Sequence, residues 1–309
     1  MPVALLGTGL LGSAIARRLL ERGVDLRVWN RQPQKLAALA ALGAIPCSEP
    51  ATAAQGCRWV ITVLSDGSVT QSVLAASGLL EEREGGGPST DAGDSGTRVL
   101  QMGTIAPHES RKLAAALTAA GHAYLEVPVL GSRPEALAGT LQLMAAGPAT
   151  LFEQALPLLQ LLGPEPVWLG PVGAALETKL ALNQLIASLS HAFSLALHLV
   201  QASGVEVERF MELLRGSALY APSFDKKLPR LLADDYSRPN FPTAHLRKDL
   251  LLFLAAARER GLETTGLQGL AEVLARAEGS ALDGLDYSAL HRLTAAAGGS
   301  AGGAESGVD

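Results

Sequence analysis

Residues Val3–Lys35 read VALLGTGLLGSAIARRLLERGVDLRVWNRQPQK, and this stretch decides the fold. Val3 to Leu6 is a short apolar strand. Gly7, Gly9 and Gly12 follow it directly. Leu11 to Arg22 carries apolar residues at helical spacing and stops at Gly23, after which Leu26 to Trp29 is a second strand. Strand, glycine turn, helix and strand thus follow one another within about thirty residues. Each glycine has its own task. Gly7 permits the tight turn, Gly9 lets backbone approach a ligand, and Gly12 lets the helix lie close to the strands. Thr8, Leu10 and Leu11 complete the turn, and the unpaired amides at the helix N-terminus suit a pyrophosphate.

The end of the second strand selects the cofactor. A carboxylate there would bond the 2′-hydroxyl of NAD. The chain instead has Asn30 and Arg31, with Lys35 one turn further on. No anion repels a 2′-phosphate, and a guanidinium is available to hold one in a fork, so NADP(H) is favoured over NAD(H).

Outward from this unit the alternation continues. Pro33 to Leu42 reads as a helix, and Trp59 to Leu64, Val99 to Met102, Tyr124 to Leu130, Leu141 to Ala145 and Val167 to Leu169 as strands. The expectation is an α/β Rossmann domain over 1–169, a doubly wound parallel sheet. The acidic, glycine-rich stretch 81–97 reads as a flexible insertion. After Gly170 strand signals cease, and Val172 to Ser203 fits one long helix leading into an all-α domain over 170–294. Val205 to Arg215, Leu246 to Arg260 and Leu267 to Ala277 are further helices of that domain, the substrate and dimerisation domain. Residues 295–309 read as a disordered tail.

The chain has 309 residues, 48% hydrophobic and 18% charged, with a net charge of −5. That is apolar enough for sizeable cores and lacks the basic field that nucleic acid needs. Cys47 and Cys57 form no disulfide or zinc pattern, and the six histidines have no metal-ligand spacing, so no metal is expected. No cationic segment precedes the apolar N-terminus, which argues against a signal peptide. Leu180 to Val205 carries no formal charge and is long enough to span a bilayer, but Asn183, Gln184, His191, His198 and several serines lie within it. The expectation is a helix buried within the protein or between subunits, in a cytoplasmic homodimer or higher homo-oligomer with no membrane or nucleic-acid partner.

Three further segments join the glycine turn: QMGTIAPHES from Gln101, LEVPVLGSRPEALAGTLQLMAAG from Leu125, and GAALETKLALN from Gly173. Together they resemble the β-hydroxyacid dehydrogenase family, which includes 3-hydroxyisobutyrate dehydrogenases and glyoxylate or succinic semialdehyde reductases. The resemblance runs from Val3 to about Leu290. Lys179 is also singled out on physical grounds. It is the last charge before the uncharged stretch, so partial desolvation should lower its pKa and make it a competent proton donor.

The resemblance implies a reductase of a small aldehyde or keto acid, or the reverse oxidation of a β-hydroxy acid. It makes Lys179 the general acid/base and gives Asn183, on the same helix face, a substrate-orienting role. It assigns the amides at Gly131 and Ser132 to a substrate carboxylate, and Phe241 and Asp249 to the substrate pocket. Leu64, Thr104 and Lys248 fall near the cofactor. There are departures. Leu130 and Gly103 stand where relatives commonly have serine, and Ser65 where proline is common. An imine reductase of the same fold and a non-catalytic dehydrogenase-like binding module are the competing readings; Lys179 argues against the first, with which Leu130 is compatible, and Lys179 together with Asn183 argues against the second.

Overall fold

A computed structural model describes residues 2–81 and 96–295. The expected insertion at 81–97 and tail at 295–309 lie almost wholly outside these residues. The chain divides into two compact units between Leu182 and Asn183. The two family-like halves read from sequence divide earlier, before the long helix.

The first unit is built on six parallel strands: β1 (Val3–Leu6), β2 (Leu26–Trp29), β3 (Ile45–Cys47), β4 (Trp59–Thr62), β5 (Arg98–Gln101) and β6 (Ala123–Glu126). Their order is β3-β2-β1-β4-β5-β6. The direction of strand order reverses beside β1, and in such sheets ligands bind outside the carboxyl ends of the strands there. β1 and β5 are buried along their whole length, as strands covered on both faces must be. Side-chain alternation feeds two cores. Leu5, Val28, Ile61, Leu100 and Leu125 join one; Ala4, Leu6, Val60, Val99 and Tyr124 join the other.

The register brings Leu6 beside Trp29 and Thr62, Thr62 beside Gln101, and Gln101 beside Glu126, so these residues form one row at the carboxyl edge. The single strand expected over Tyr124 to Leu130 is two. β6 ends at Glu126, and β7 (Val129–Leu130) pairs with β8 (Gln142–Ala145), which pairs with β9 (Val167–Trp168). Pro128 lies at the break and has no amide hydrogen for a ladder. β3 carried no clear strand signal because Pro46 interrupts it; it survives as an edge strand. The helix expected over Pro33 to Leu42 is a 3-10 turn, Pro33–Leu36, followed by a single short helix, Ala37–Ala40.

The helix Ala174–Ala202 starts in the first unit and ends in the second. The second unit continues with helices Val207–Arg215, Pro222–Ala233, Thr243–Glu259, Thr265–Ala275 and Leu290–Thr294. Phe193, Leu197, Met211, Phe224 and Tyr236 form one core, with Phe193 stacked on Phe224 at 4.5 Å. Leu246, Leu250, Leu270, Leu274 and Leu290 form another.

The long helix has the length and apolarity to cross a membrane, with 22% of its most apolar window buried. It is therefore not buried within the single chain, as the first of the two sequence-based alternatives required. Leu185, Leu189, Leu195 and Leu199 stand exposed along it.

Candidate active site

The glycine turn closes β1. Gly7 has φ +104°, and a Cβ there would lie 2.3 Å from the Val63 carbonyl oxygen. A Cβ on Gly12 would lie 2.0 Å from the Gly7 oxygen. Both positions are closed to any side chain by the backbone itself. Gly9 differs, since a Cβ there would meet nothing within 4 Å. It is the N-cap of helix Leu10–Glu21, with no side-chain cap and no acid in the first turn. The amides of that turn and the open space at Gly9 fit a pyrophosphate.

Thr8 is buried, and its hydroxyl accepts a 2.9 Å hydrogen bond from Asn30 Nδ2, while Asn30 Oδ1 accepts from the Gln32 amide at 2.9 Å. Asn30 thus braces the turn with both ends of its amide. Arg31 and Lys35 are exposed, and neither has an ion pair with a described residue. Leu64 follows β4 and closes over Gly7. Gly103, beside Thr104, sits so near β4 that a Cβ would be 2.5 Å from the Leu64 oxygen. The serine that relatives carry there would need the backbone to move.

Gly131 has φ +125°, and a Cβ would be 2.8 Å from Leu141 Cδ2. Ser132 caps the short helix Arg133–Ala138, and its amide and hydroxyl both donate to Glu135 Oε2, at 2.8 and 2.7 Å. The Ser132 amide assigned by resemblance to a substrate carboxylate is therefore engaged by the chain's own carboxylate. Leu130 is half-buried against Met144, Ala146 and Ala175, so the apolar residue that replaces serine helps to form a small core.

Lys179, on the long helix, is 8% exposed. In the second unit Asn183 and Asp249 are each 2% exposed, and Asn183 Nδ2 donates to Asp249 Oδ2 at 2.6 Å. Lys248 Nζ lies 2.8 Å from Asp249 Oδ1. Asn183 Oδ1 is buried with no hydrogen-bond partner, an acceptor that a ligand hydroxyl would satisfy. Phe241 leads into the helix of Lys248 and Asp249, with its ring 6.2 Å from that of His245 and 5.8 Å from that of Tyr287. Burial and then the Lys248 charge hold the His245 imidazole below its usual pKa.

Four residues at or near these sites escaped the sequence reading: Glu126, Gln101, His245 and Tyr287. Gln101 and Glu126 had a visible signal, a polar residue directly after the apolar interior of a strand. Gln101 is fully buried with neither end of its amide hydrogen-bonded. His245 is one turn before Asp249, and nothing in its spacing set it apart. Among the described residues no group of three His, Cys, Asp or Glu side chains could hold a metal ion.

This parallel sheet, with an uncapped glycine turn at its switch point and a helical unit after it, defines a dinucleotide-binding protein of the Rossmann class. Residues 2–170 match the family model described as the NAD binding domain of 6-phosphogluconate dehydrogenase. Residues 173–294 match that described as NAD-binding of NADP-dependent 3-hydroxyisobutyrate dehydrogenase. The chain is 33% identical to glyoxylate/succinic semialdehyde reductase 1 of Arabidopsis thaliana over 94% of its own length and 97% of the relative's. It is 31% identical to 3-sulfolactaldehyde reductase of Escherichia coli (strain K12), over 93% and 94% respectively. The solved Mycobacterium tuberculosis 3-hydroxyisobutyrate dehydrogenase with L-serine superposes with a TM-score of 0.82 at 23% identity, covering 94% of this chain and 98% of that one. The chain belongs to the β-hydroxyacid dehydrogenase family.

Proposed function

We propose that this protein is an NADPH-dependent reductase of a small aldehyde or keto acid, with Lys179 as general acid. The observation that carries the reading is a buried lysine one helical turn before a buried asparagine that is itself bonded to Asp249. When bound, NADPH supplies hydride to the carbonyl carbon. Lys179 donates the proton that the carbonyl oxygen needs as charge builds there. The Asp249 hydrogen bond holds the Asn183 amide in one orientation, leaving Oδ1 to receive a donor from the substrate.

Gly7, Thr8, Gly9, Leu10, Leu11 and Gly12 hold the pyrophosphate, with Asn30 as the brace. Arg31 and Lys35 hold the 2′-phosphate, and Leu64, Thr104 and Lys248 are assigned to the remainder of the cofactor. The relatives named for glyoxylate, succinic semialdehyde and 3-sulfolactaldehyde reduction act on aldehydes that carry an anionic group. A substrate of that class would reach the Gly131–Ser132 amides by displacing Glu135, beside the apolar side chain of Leu130.

Lys179→Ala should lower kcat by about 10²- to 10⁴-fold while NADPH binding persists; full reductase activity in that variant would sink the assignment. Arg31→Asp should reverse the cofactor preference, read as the ratio of kcat/KM for NADPH over NADH. We further propose a cytoplasmic homodimer in which Leu185, Leu189 and Leu199 are covered, since exposed leucines along one helix call for a partner. Light scattering at the monomer mass would overturn the dimer.

A further inference from the structure

We propose that Glu126 is a positioning residue for Lys179: its carboxylate caps the long helix from the end of β6 and so fixes where the lysine stands. This rests on the reading of Lys179 as the general acid.

Glu126 is the last residue of β6 and is fully buried. Its Oε1 accepts hydrogen bonds from the amides of Gly173, Ala175 and Leu176 at 2.8, 3.0 and 3.3 Å. Its Oε2 accepts from the Ser110 hydroxyl at 2.6 Å, and that hydroxyl lies 2.7 Å from Tyr124 Oη. All four of these groups donate to the carboxylate, which is the environment of an ionised group. Burial pushes its pKa up, while the Ser110 hydroxyl and the three amides pull against that. A buried carboxylate is costly to desolvate. It is retained here where a helix N-terminus turns its free amides and positive dipole end toward it.

The origin of the cap matters. Helix Gly67–Ala76 is capped by its own adjacent Asp66, which bonds the Val69 amide at 2.9 Å. A local cap of that kind ties a helix only to its own loop. Glu126 is 47 residues from Gly173 in sequence, so its cap ties the helix to the sheet. β5, the neighbour of β6, leads into Gly103, which packs against the backbone of Leu64, and Leu64 closes over Gly7.

Lys179 lies six residues past Gly173, about 9 Å along the helix axis at 1.5 Å per residue. A slip of one residue would shift the lysine backbone by about 1.5 Å and turn it by about 100°. A displacement near 1 Å at a reacting group can cost about 10² in rate. The carboxylate also offsets the positive end of the helix, which otherwise opposes an ammonium two turns away. The other charged or titratable groups at this end are Glu177 on the helix itself, Arg111, whose guanidinium is 3.5 Å from Glu177, and Tyr124 on β6.

The test compares four variants of the full chain for kcat, KM and the pH profile of carbonyl reduction. NADPH binding and circular dichroism serve as checks on folding. Glu126→Gln keeps the shape and removes the charge. We expect kcat to fall about tenfold, KM for NADPH to stay within about twofold, and the alkaline limb of kcat to move to lower pH. Glu126→Leu removes every acceptor and should cost about 10² in kcat. Glu109→Gln is the structural comparator. Glu109 caps the helix Pro107–Ala119 through the Ala106 amide, so this variant should lose thermal stability and keep kcat per folded molecule. Lys179→Ala separates the two claims. If it retains full activity, the lysine reading falls and the positioning role with it. If it is inactive while both Glu126 variants fold and keep the wild-type kcat and pH limb, only the positioning role falls. A Glu126 variant that loses thermal stability alone, like Glu109→Gln, would likewise overturn it.

Discussion

In the first unit a backbone ladder of six parallel strands joins the elements, and buried polar side chains gather at its carboxyl edge. In the second unit the helices satisfy most of their own backbone. A few backbone bonds, such as Asp286 N–H to the Tyr236 oxygen and Tyr287 N–H to the Phe241 oxygen, tie loops together, and side chains do the rest of the joining. Lys227 reaches Asp286 at 2.7 Å across the helical unit, and Asp286 also accepts from the Ser288 amide and hydroxyl. His198 stacks on His291 at 3.9 Å, with interplanar angle 5°. Asn183 is bonded to Asp249. The difference teaches where each unit is vulnerable. The sheet is sensitive to added atoms at its tight turns, and the helical unit to the removal of one partner of a buried pair.

The largest effect should come from Lys227→Met. It leaves Asp286, whose side chain is fully buried, without its cation, at a cost of about 3–5 kcal/mol. Replacing Asp286 by Asn in the same chain should recover part of this. Denaturant unfolding that shows no loss in the single variant would break the contrast between the units.

Next is Gly12→Ala. Its Cβ would press on the Gly7 carbonyl, a backbone atom with nowhere to go, and about 1–3 kcal/mol should be lost together with NADPH binding. Gly9→Ala sharpens the point. Its Cβ meets open space, so thermal stability should hold while NADPH affinity falls. Loss of folding in Gly9→Ala would contradict the assignment of that space to the cofactor.

The smallest is a pH effect. Burial, and next the neighbouring His198, lower the His291 pKa to about 4. Between that value and about 6.5 the unfolded chain binds a proton that the folded chain refuses, so stability falls as pH drops through this window. Going from pH 7 to pH 5 should remove about 1 kcal/mol through this group once solvent screening is allowed for. His291→Gln should flatten that part of the curve, and an unchanged pH slope would remove His291 as its source.

Different kinds of residue were legible to different degrees. Gly7, Gly9 and Gly12 could be read directly, because a strand, a turn and a helix are local and their spacing repeats. At Asn30 and Arg31 the missing carboxylate is visible in one dimension, and the cofactor preference drawn from it belongs to the proposal. Gly103 and Leu130 could be seen only as departures. Their reasons, a carbonyl 2.5 Å from a would-be Cβ and a small core against Ala175, involve segments distant in sequence. The Ser132 amide read as an open anion seat, yet Glu135 at the third helical position bonds it. The helix Pro222–Ala233 was not identified because Pro222 and Pro229 obscure its periodicity; Phe224, Leu228 and Leu231 bury its apolar face all the same.

By itself, the sequence determined that this chain forms a dinucleotide-binding sheet followed by helices, and that a lysine and an asparagine share one turn of the helix between them. Periodicity and glycine spacing are properties of neighbours along the chain, and they need no partner to be read. Only the tertiary structure decided that Glu126 caps that helix, that Asp249 holds Asn183, and that Glu135 engages the Ser132 amide. Hydrogen bonds of this kind depend on which strand ends and helix starts the fold brings within 3 Å, and that distance is not written in the order of the residues.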